Sequence, residues 1–218
     1  QVPGEAIYLE DVKNSITKAD KIKALVLAGL FFVRLCPIRI LERLAGSRKR
    51  RTQEDLATII FSSGSESEPK GVPLTHFNIS SNIEAALQVF PHEPNESVIG
   101  FLPFFHSFGF TGTLWLPLSR GFSAVYHPTP LEAKAIAELI YRHKCTFLIA
   151  APTFLLNFIR RCLPEELSSV KYCITGAEKL PARIREAFRE KFGLEPLEGY
   201  GTTECSPIVS VNIPDFRA

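Results

Sequence analysis

From residue 52 onward the sequence repeats one pattern, a short apolar run bounded by polar or small residues and then a segment of helical period. That alternation constrains the fold more than any single motif. A strand covered on both faces needs an unbroken apolar run, and the return path between parallel strands is a helix. Residues 57–61 (Ala-Thr-Ile-Ile-Phe) are expected as a buried strand opening into a polar loop, with further strands over 98–102, 124–126, 147–150 and 170–175 and another near Leu197. Helices are expected over 78–90, 131–143, 153–162 and 182–192. In 131–143 the apolar positions Leu131, Ala135, Leu139 and Ile140 follow a helical period; in 182–192 Ile184, Phe188 and Phe192 share a face, and Pro181 suits a first-turn position. No internal repeat or low-complexity tract interrupts the pattern. The expected fold class is α/β, a doubly wound, mostly parallel sheet flanked by helices, in which ligands gather at the carboxyl ends of the strands.

Charge divides the chain. The net charge is +2, yet residues 1–51 hold eleven Lys or Arg against five Asp or Glu, leaving −4 for the remainder. Two regions are therefore expected: a basic, partly amphipathic helical lead-in and linker over 1–51, and an α/β core over 52–218. The apolar run from Ala24 to Val33 stops at ten residues, half of the roughly 20 a membrane span requires. From Ile38 onward Arg39 and Arg43 lie one helical turn apart, with Ile38, Leu41 and Leu44 placed for another face. Two readings stand: a helix packed on the domain with Arg48 to Arg51 as a solvated linker, or contact with a membrane surface. No signal peptide is visible. The first residue is Gln1 and methionine is absent, so an internal piece of a longer protein is expected.

Cys36, Cys145, Cys162, Cys173 and Cys205 are odd in number and form no CxxC pair. That argues against zinc and for buried free thiols in a reducing cytoplasm. No nucleic-acid partner is expected.

Three loops carry residues suited to chemistry. The first, Ser62-Ser-Gly-Ser-Glu-Ser-Glu-Pro-Lys-Gly71, combines hydroxyls, backbone freed by Gly64 and Gly71, and the Lys70 ammonium, a set that suits phosphate oxygens. It lacks the Walker A spacing, and read alone it is also an ordinary Ser/Gly/Pro loop. The second, Leu102-Pro-Phe-Phe-His-Ser-Phe-Gly-Phe110, sets aromatics around His106, as the wall of an apolar channel with a polar gate or as a core cluster with a satisfied histidine. The third is Gly199-Tyr-Gly-Thr-Thr-Glu204. A tyrosine face can stack on a purine, a threonine hydroxyl can reach a phosphate, and a carboxylate can hold Mg²⁺.

Taken together, in this order and on these strand ends, the three loops resemble the adenylate-forming superfamily of acyl-CoA synthetases, luciferases and peptide-synthetase adenylation domains. The first resembles its signature loop, Ser/Thr-Ser-Gly-Ser/Thr-Thr/Glu-Gly-x-Pro-Lys-Gly; the third resembles its Tyr-Gly-x-Thr-Glu motif about 130 residues further on, with Thr175-Gly-Ala-Glu-Lys179 between them. Within the superfamily, Leu102 to Thr111, Gly176 to Leu180, Pro196 to Glu204 and Ala6 to Asp11 look most like the acyl-(acyl carrier protein) synthetase part of bifunctional 2-acylglycerophosphoethanolamine acyltransferases.

The resemblance implies an acid–thiol ligase that uses ATP and Mg²⁺ to turn a fatty acid into acyl-AMP and pyrophosphate. CoA, or the phosphopantetheine of acyl carrier protein, would take the acyl group. It also implies work at the inner face of the membrane. Carried onto matching positions, Ser62, Ser63, Gly64, Ser65, Lys70 and Gly71 would hold the β- and γ-phosphates. Gly176, Ala177 and Glu178 would border the adenine and acyl sites, and Tyr200, with Gly201 and Thr202 beside it, would stack on adenine. Thr203 would contact phosphate, Glu204 would ligate Mg²⁺, and His106 would lie where the carboxylate approaches the α-phosphate. Two departures matter: Ser67 stands where the family usually has glycine, and the ribose-binding aspartate and the small C-terminal domain with its catalytic lysine lie beyond Ala218. The 218 residues alone are thus expected to be inactive. A rival reading is a degenerate nucleotide or fatty-acid binding module without turnover.

Overall fold

The computed structural model describes residues 15–32, 52–63, 69–93 and 95–213. The chain divides into two compact units, residues 1–51 and 52–218. In the first, α1 (Lys18–Phe32) is started by Thr17, whose hydroxyl accepts from the Asp20 N–H while the Asp20 carboxylate accepts from the Thr17 N–H, a reciprocal cap that satisfies two otherwise orphaned donors. Ile22, Leu25 and Val26 are exposed on it. The amphipathic stretch expected from Ile38, the basic cluster at 48–51 and Cys36 lie outside the described residues. Among those described, no helix is long and apolar enough to cross a membrane.

The second unit opens with a two-stranded antiparallel ribbon, β1 (Leu56–Ser63) and β2 (Pro69–Thr75), and corrects one expectation. Residues 57–61 do form a strand, but not a buried one in the parallel sheet: Ile59 and Phe61 are about half exposed, and only Ile60 is buried. Their side chains close over Gly71 on the facing strand, where an added Cβ would lie 3.1 Å from Ile59 Cγ2 and 3.3 Å from Phe61 Cε1. β2 passes without a loop into α2 (His76–Leu87), because Thr75 caps the helix. Its hydroxyl accepts from the Asn78 N–H, and Asn78 Oδ1 accepts from the Thr75 N–H at 2.9 Å.

The main sheet contains β3 (Ser97–Gly100), β4 (Ser123–Tyr126), β5 (Phe147–Ala150), β6 (Tyr172–Thr175), β7 (Pro196–Gly201) and β8 (Ile208–Val211), in the order β4-β3-β5-β6-β7-β8. All neighbours are parallel except β7 and β8. β3 and β5 are buried along their whole length, as central parallel strands with helices on their faces must be. Between β3 and β4 runs α3, an α turn at Ser107–Gly109, a π-helical stretch at Phe110–Trp115 and an α turn at Leu116–Arg120. α4 (Ala133–His143), α5 (Pro152–Arg161) and α6 (Ala182–Phe192) follow β4, β5 and β6. Both α4 and α6 close on a residue in the left-handed region, Lys144 at φ 55° and Gly193 at φ 67°. The fold is α/β, a mostly parallel sheet flanked by helices.

Smaller differences have local causes. Pro181 is the N-cap of α6, with extended ψ of 136°, rather than a first-turn residue. β7 runs on through Gly201, so Tyr200 belongs to a strand and not to the loop after it, because β8, unmarked in the sequence by any clear alternation, pairs with its end. Of the described cysteines, Cys145, Cys162 and Cys173 are buried free thiols, and burial pushes all three upward in pKa, Cys162 to about 11. Cys205 is exposed, contrary to the expectation for it.

The chain reverses direction across the sheet after β4: β4 lies to one side of β3 and β5 to the other. Outside the carboxyl ends of the strands at such a switch point the loops diverge and leave a crevice.

Candidate active site

A cleft with about 190 Å³ of internal space, partly open to solvent, has its rim there. Its floor is the sheet face carrying Phe147, Ile149 and Ile174; its wall is α2, with Ile83, Ala86 and Leu87, and α3, with Thr111, Gly112 and Leu116. Its rim gathers seven of the residues singled out in the sequence: His106, Gly176, Ala177, Tyr200, Gly201, Thr202 and Thr203. An apolar trough with polar groups collected at one end suits a ligand with an apolar body and a charged head.

His106 caps the first turn of α3, its Nδ1 accepting from the Phe108 N–H at 3.2 Å. That bond leaves the ring proton of the neutral imidazole on Nε2, free to donate. The aromatic cluster around it is split: Phe108 lines the cleft, Phe110 packs partly buried against the core, and Phe104 and Phe105 are exposed.

Gly176 follows β6 at a tight crossing, where an added Cβ would lie 3.1 Å from the Gly199 carbonyl oxygen. Ala177 follows in the left-handed region at φ 69°. A non-glycine residue held there by its surroundings is backbone strain kept at a rim position. Glu178 does not line the cleft; its Oε2 accepts from the Thr153 hydroxyl at 2.6 Å, tying the first turn of α5 to the loop after β6.

Tyr200 presents an exposed ring at the end of β7. Gly201 is fixed by its neighbour, since a Cβ there would run into the Pro207 carbonyl oxygen. The turn that follows, with its 3₁₀ segment Thr203–Cys205, is closed by Thr202 N–H donating to Pro207 O at 2.9 Å. The Thr203 hydroxyl lies 3.3 Å from that of Ser107. Glu204 is exposed and does not line the cleft; it borders a shallow polar hollow with Asn78, Ser81, Asn82 and Cys205.

The ribbon reaches this turn from the other side, β2 lying against Thr203–Cys205. Ser62 and Lys70 face each other across its tip, with Gly71 next to Lys70. Gly64, Ser65 and Ser67, between the strands, lie outside the described residues, as does the side chain of Ser63.

Among the described residues no cluster of three or more His, Cys, Asp or Glu could form a protein metal cage. A lone exposed carboxylate such as Glu204 is compatible in its chemistry with Mg²⁺, which keeps several waters and is commonly bound through one or two carboxylates together with phosphates. Local spacing assigned no role to the residues that hold this rim in place, Asn82, Ser107 and Thr111, although the last two lie within the quoted stretch 102–111. Helical spacing marks Ile79, Ile83 and Leu87 as one apolar face, but it cannot separate a cleft wall from core.

Comparison with known proteins agrees with this geometry. The chain is 35% identical over 168 residues to the long-chain-fatty-acid–CoA ligase of Bacillus subtilis (strain 168), covering 73% of this chain and 29% of that protein. It is 35% identical to the probable 4-coumarate–CoA ligase 3 of Dictyostelium discoideum, again covering 29% of its length. Among solved structures, ATP-bound MatB from Rhodopseudomonas palustris superposes with a TM-score of 0.71 at 26% identity, over 81% of this chain and 36% of that one. The anthranilate CoA ligase AuaEII in complex with anthranoyl-AMP superposes with a TM-score of 0.69 at 26% identity, over 78% of this chain and 34% of that one. The chain thus spans less than a third of the curated relatives named here. With the family profile described as AMP-binding enzyme matching residues 7–218, in addition to the shared fold, the chain belongs to the AMP-binding enzyme family.

Proposed function

We propose that these residues form part of the activating domain of a carboxylic acid–CoA ligase, which joins an acid to AMP with loss of pyrophosphate and then passes the acyl group to a thiol. The observation that carries this reading is the cleft itself: an apolar trough whose polar rim brings His106, from the loop after β3, to one opening with Tyr200 and Thr203, from the end of β7 and the turn after it. The acid's apolar body would lie between α2 and Phe147, leaving its carboxylate near His106. Tyr200 would offer its exposed ring to adenine, with Gly176, Ala177, Gly201 and Thr202 as the floor beneath it. Thr203 and the ribbon, through Ser62, Ser63, Gly64, Ser65, Lys70 and Gly71, would meet the phosphates. Glu178, hydrogen-bonded to Thr153, would brace the adenine side.

In the reaction a carboxylate oxygen attacks the α-phosphorus in line, a P–O bond forms, and the bond to pyrophosphate breaks. No covalent enzyme intermediate is needed, so the chain's contribution is positioning and charge neutralisation. Mg²⁺, held by Glu204 and by phosphate oxygens, would supply Lewis-acid stabilisation of the developing charge. The Nε2 proton of His106 would orient the incoming carboxylate.

CoA is the favoured thiol because curated relatives at up to 35% identity are CoA ligases. Acyl carrier protein is the second reading, favoured by the likeness of 102–111, 176–180 and 196–204 to acyl-(acyl carrier protein) synthetases. Residues 1–51 would be a basic lead-in that meets an anionic, cytoplasm-facing membrane surface, consistent with their charge of +6 and the exposed Ile22, Leu25 and Val26 of α1. The 218 residues alone would bind Mg·ATP weakly without turnover.

The test is pyrophosphate release with ATP, Mg²⁺ and a long-chain acid, using the protein expressed from its natural reading frame. Lys70→Ala and Glu204→Gln should each lower the rate by a factor of about 100 or more, the usual cost of one transition-state charge partner, while acid affinity stays within about twofold. Wild-type rates in both variants would dismiss the assignment and favour a binding module without turnover.

A further inference from the structure

Asn82 lies on α2 and is not among the residues assigned above to substrate. Its side-chain amide nevertheless makes three hydrogen bonds to backbone far away in sequence. Nδ2 donates to the Cys205 carbonyl at 3.1 Å and to the Ile208 carbonyl at 2.7 Å, and Oδ1 accepts from the Ile208 N–H at 3.1 Å. Only a primary amide offers two donors and an acceptor in one planar group of that length. An aspartate would keep the acceptor and set its charge against two carbonyl oxygens.

The segment so gripped is the one that carries Thr203 and Glu204. It contains Ser206, 3% exposed and held at φ 73° without being glycine. Such a conformation persists only where the surroundings over-determine it. Asn82 supplies part of that constraint, and Thr111 supplies more by donating its buried hydroxyl to the Ser206 carbonyl at 3.2 Å. α2 also starts directly from β2, the strand bearing Lys70, and the adjacent Ile83 lines the cleft. One helix therefore joins the ribbon, the trough wall and the turn.

We propose that Asn82 is a positioning residue for acid activation: it fixes the turn against α2 so that the Thr203 hydroxyl and Glu204 carboxylate are already placed for the phosphates and Mg²⁺. The benefit of groups aligned before the reaction is realised in the transition state, so loss of the grip acts on rate and metal demand more than on acid binding. The inference rests on reading Thr203 and Glu204 as phosphate and metal ligands.

The test measures pyrophosphate release against Mg²⁺ and acid concentration for the protein expressed from its natural reading frame, comparing wild type, Asn82→Asp, Thr203→Ala and Glu204→Gln. Asn82→Asp should raise the Mg²⁺ concentration for half-maximal rate about tenfold and lower kcat comparably, since charge-assisted and buried hydrogen bonds carry effects of that size, with KM for the acid within about twofold. A tether of structural importance alone would shift the denaturation midpoint and leave the Mg²⁺ dependence in place. Should Asn82→Asp not fold, Thr111→Val, which removes the bond to Ser206 while replacing one cleft-wall side chain by another of similar size, decides: a threefold or larger rise in Mg²⁺ demand, about the size expected for one lost hydrogen bond, with KM for the acid unchanged, upholds the proposal, and no rise overturns it. A folded Asn82→Asp with wild-type Mg²⁺ dependence, beside an impaired Glu204→Gln, overturns the positioning role and spares the active-site reading. If Thr203→Ala and Glu204→Gln are also without effect, the active-site reading itself falls.

Discussion

The hydroxyls of Ser107 and Thr203 lie 3.3 Å apart across 96 positions of sequence. Ser107 is buried directly after His106, and Thr203 opens the turn that carries Glu204, so this contact joins the loop after β3 to the loop after β7. Ser107→Ala removes one partner and leaves Thr203 free to rotate. Stability should fall by about 1 kcal/mol, the usual net worth of such a bond, and kcat for pyrophosphate release should fall more than KM for the acid rises. Denaturant unfolding together with steady-state kinetics checks both; an unaltered kcat would mean that Ser107 does not orient Thr203.

Gly201 has no room for a side chain, because the Cβ would meet the carbonyl oxygen of Pro207, which is backbone and already accepts from the Thr202 N–H. Gly201→Ala should therefore open the turn and destabilise the protein by roughly 1–3 kcal/mol, the range for overpacking a tight site. The thermal midpoint should drop accordingly. Gly29→Ala, where nothing lies within 4 Å, is the control.

Ala177 at φ 69° gives the opposite expectation. Ala177→Gly removes the Cβ penalty of the left-handed region, partly offset by the freer unfolded chain, so stability should rise by up to about 1 kcal/mol. The same freedom at the cleft rim should weaken ATP binding. Calorimetry on both proteins tests the pair of effects, and a fall in stability would refute the account of strain at this position.

Glu96 and Lys171 form a pair at the amino ends of the strands, with Lys171 Nζ 2.9 Å from a carboxylate that is 1% exposed. Burial pushes the Glu96 carboxyl upward, but the Thr146 hydroxyl, the Lys171 ammonium and the Glu93 N–H outweigh it, so it titrates below the usual carboxylate range. The hydrogen bond to Glu96 correspondingly raises Lys171. With a depressed folded-state pKa, the stabilisation from Glu96 is complete above the ordinary carboxylate value, near 4.3, and is lost as pH falls through the lower folded value. The raised Lys171 keeps its share until pH exceeds the ordinary lysine range. Urea unfolding of wild type and Glu96→Gln should differ most near neutral pH and converge in acid; a constant difference down to about pH 3, well below the ordinary carboxylate pKa, would contradict this.

Periodicity in the sequence located most helices and the central parallel strands, because burial on one helix face or both strand faces is written into local spacing. The strand at 147–150 and the helix at 182–192 needed no more than that. The three loops were legible for a related reason, since glycine, hydroxyl and charged residues clustered after apolar runs mark strand ends. Partner choice is not local. Residues 57–61 read the same whether their strand joins the parallel sheet or folds back on β2, and only the antiparallel pairing with β2 shows that it is the ribbon. β8 and the extension of β7 to Tyr200 exist through pairing with each other, which no periodicity in either segment announces. The grip of Asn82 on the backbone 123 and 126 residues away depends on chain closure, as does the Ser107–Thr203 contact. The sequence alone thus determined which residues have the chemistry, through local spacing and side-chain type. Only the tertiary structure decided which of them share an opening and what holds them there, because strand pairing and long-range hydrogen bonds are settled by the packing of the whole domain.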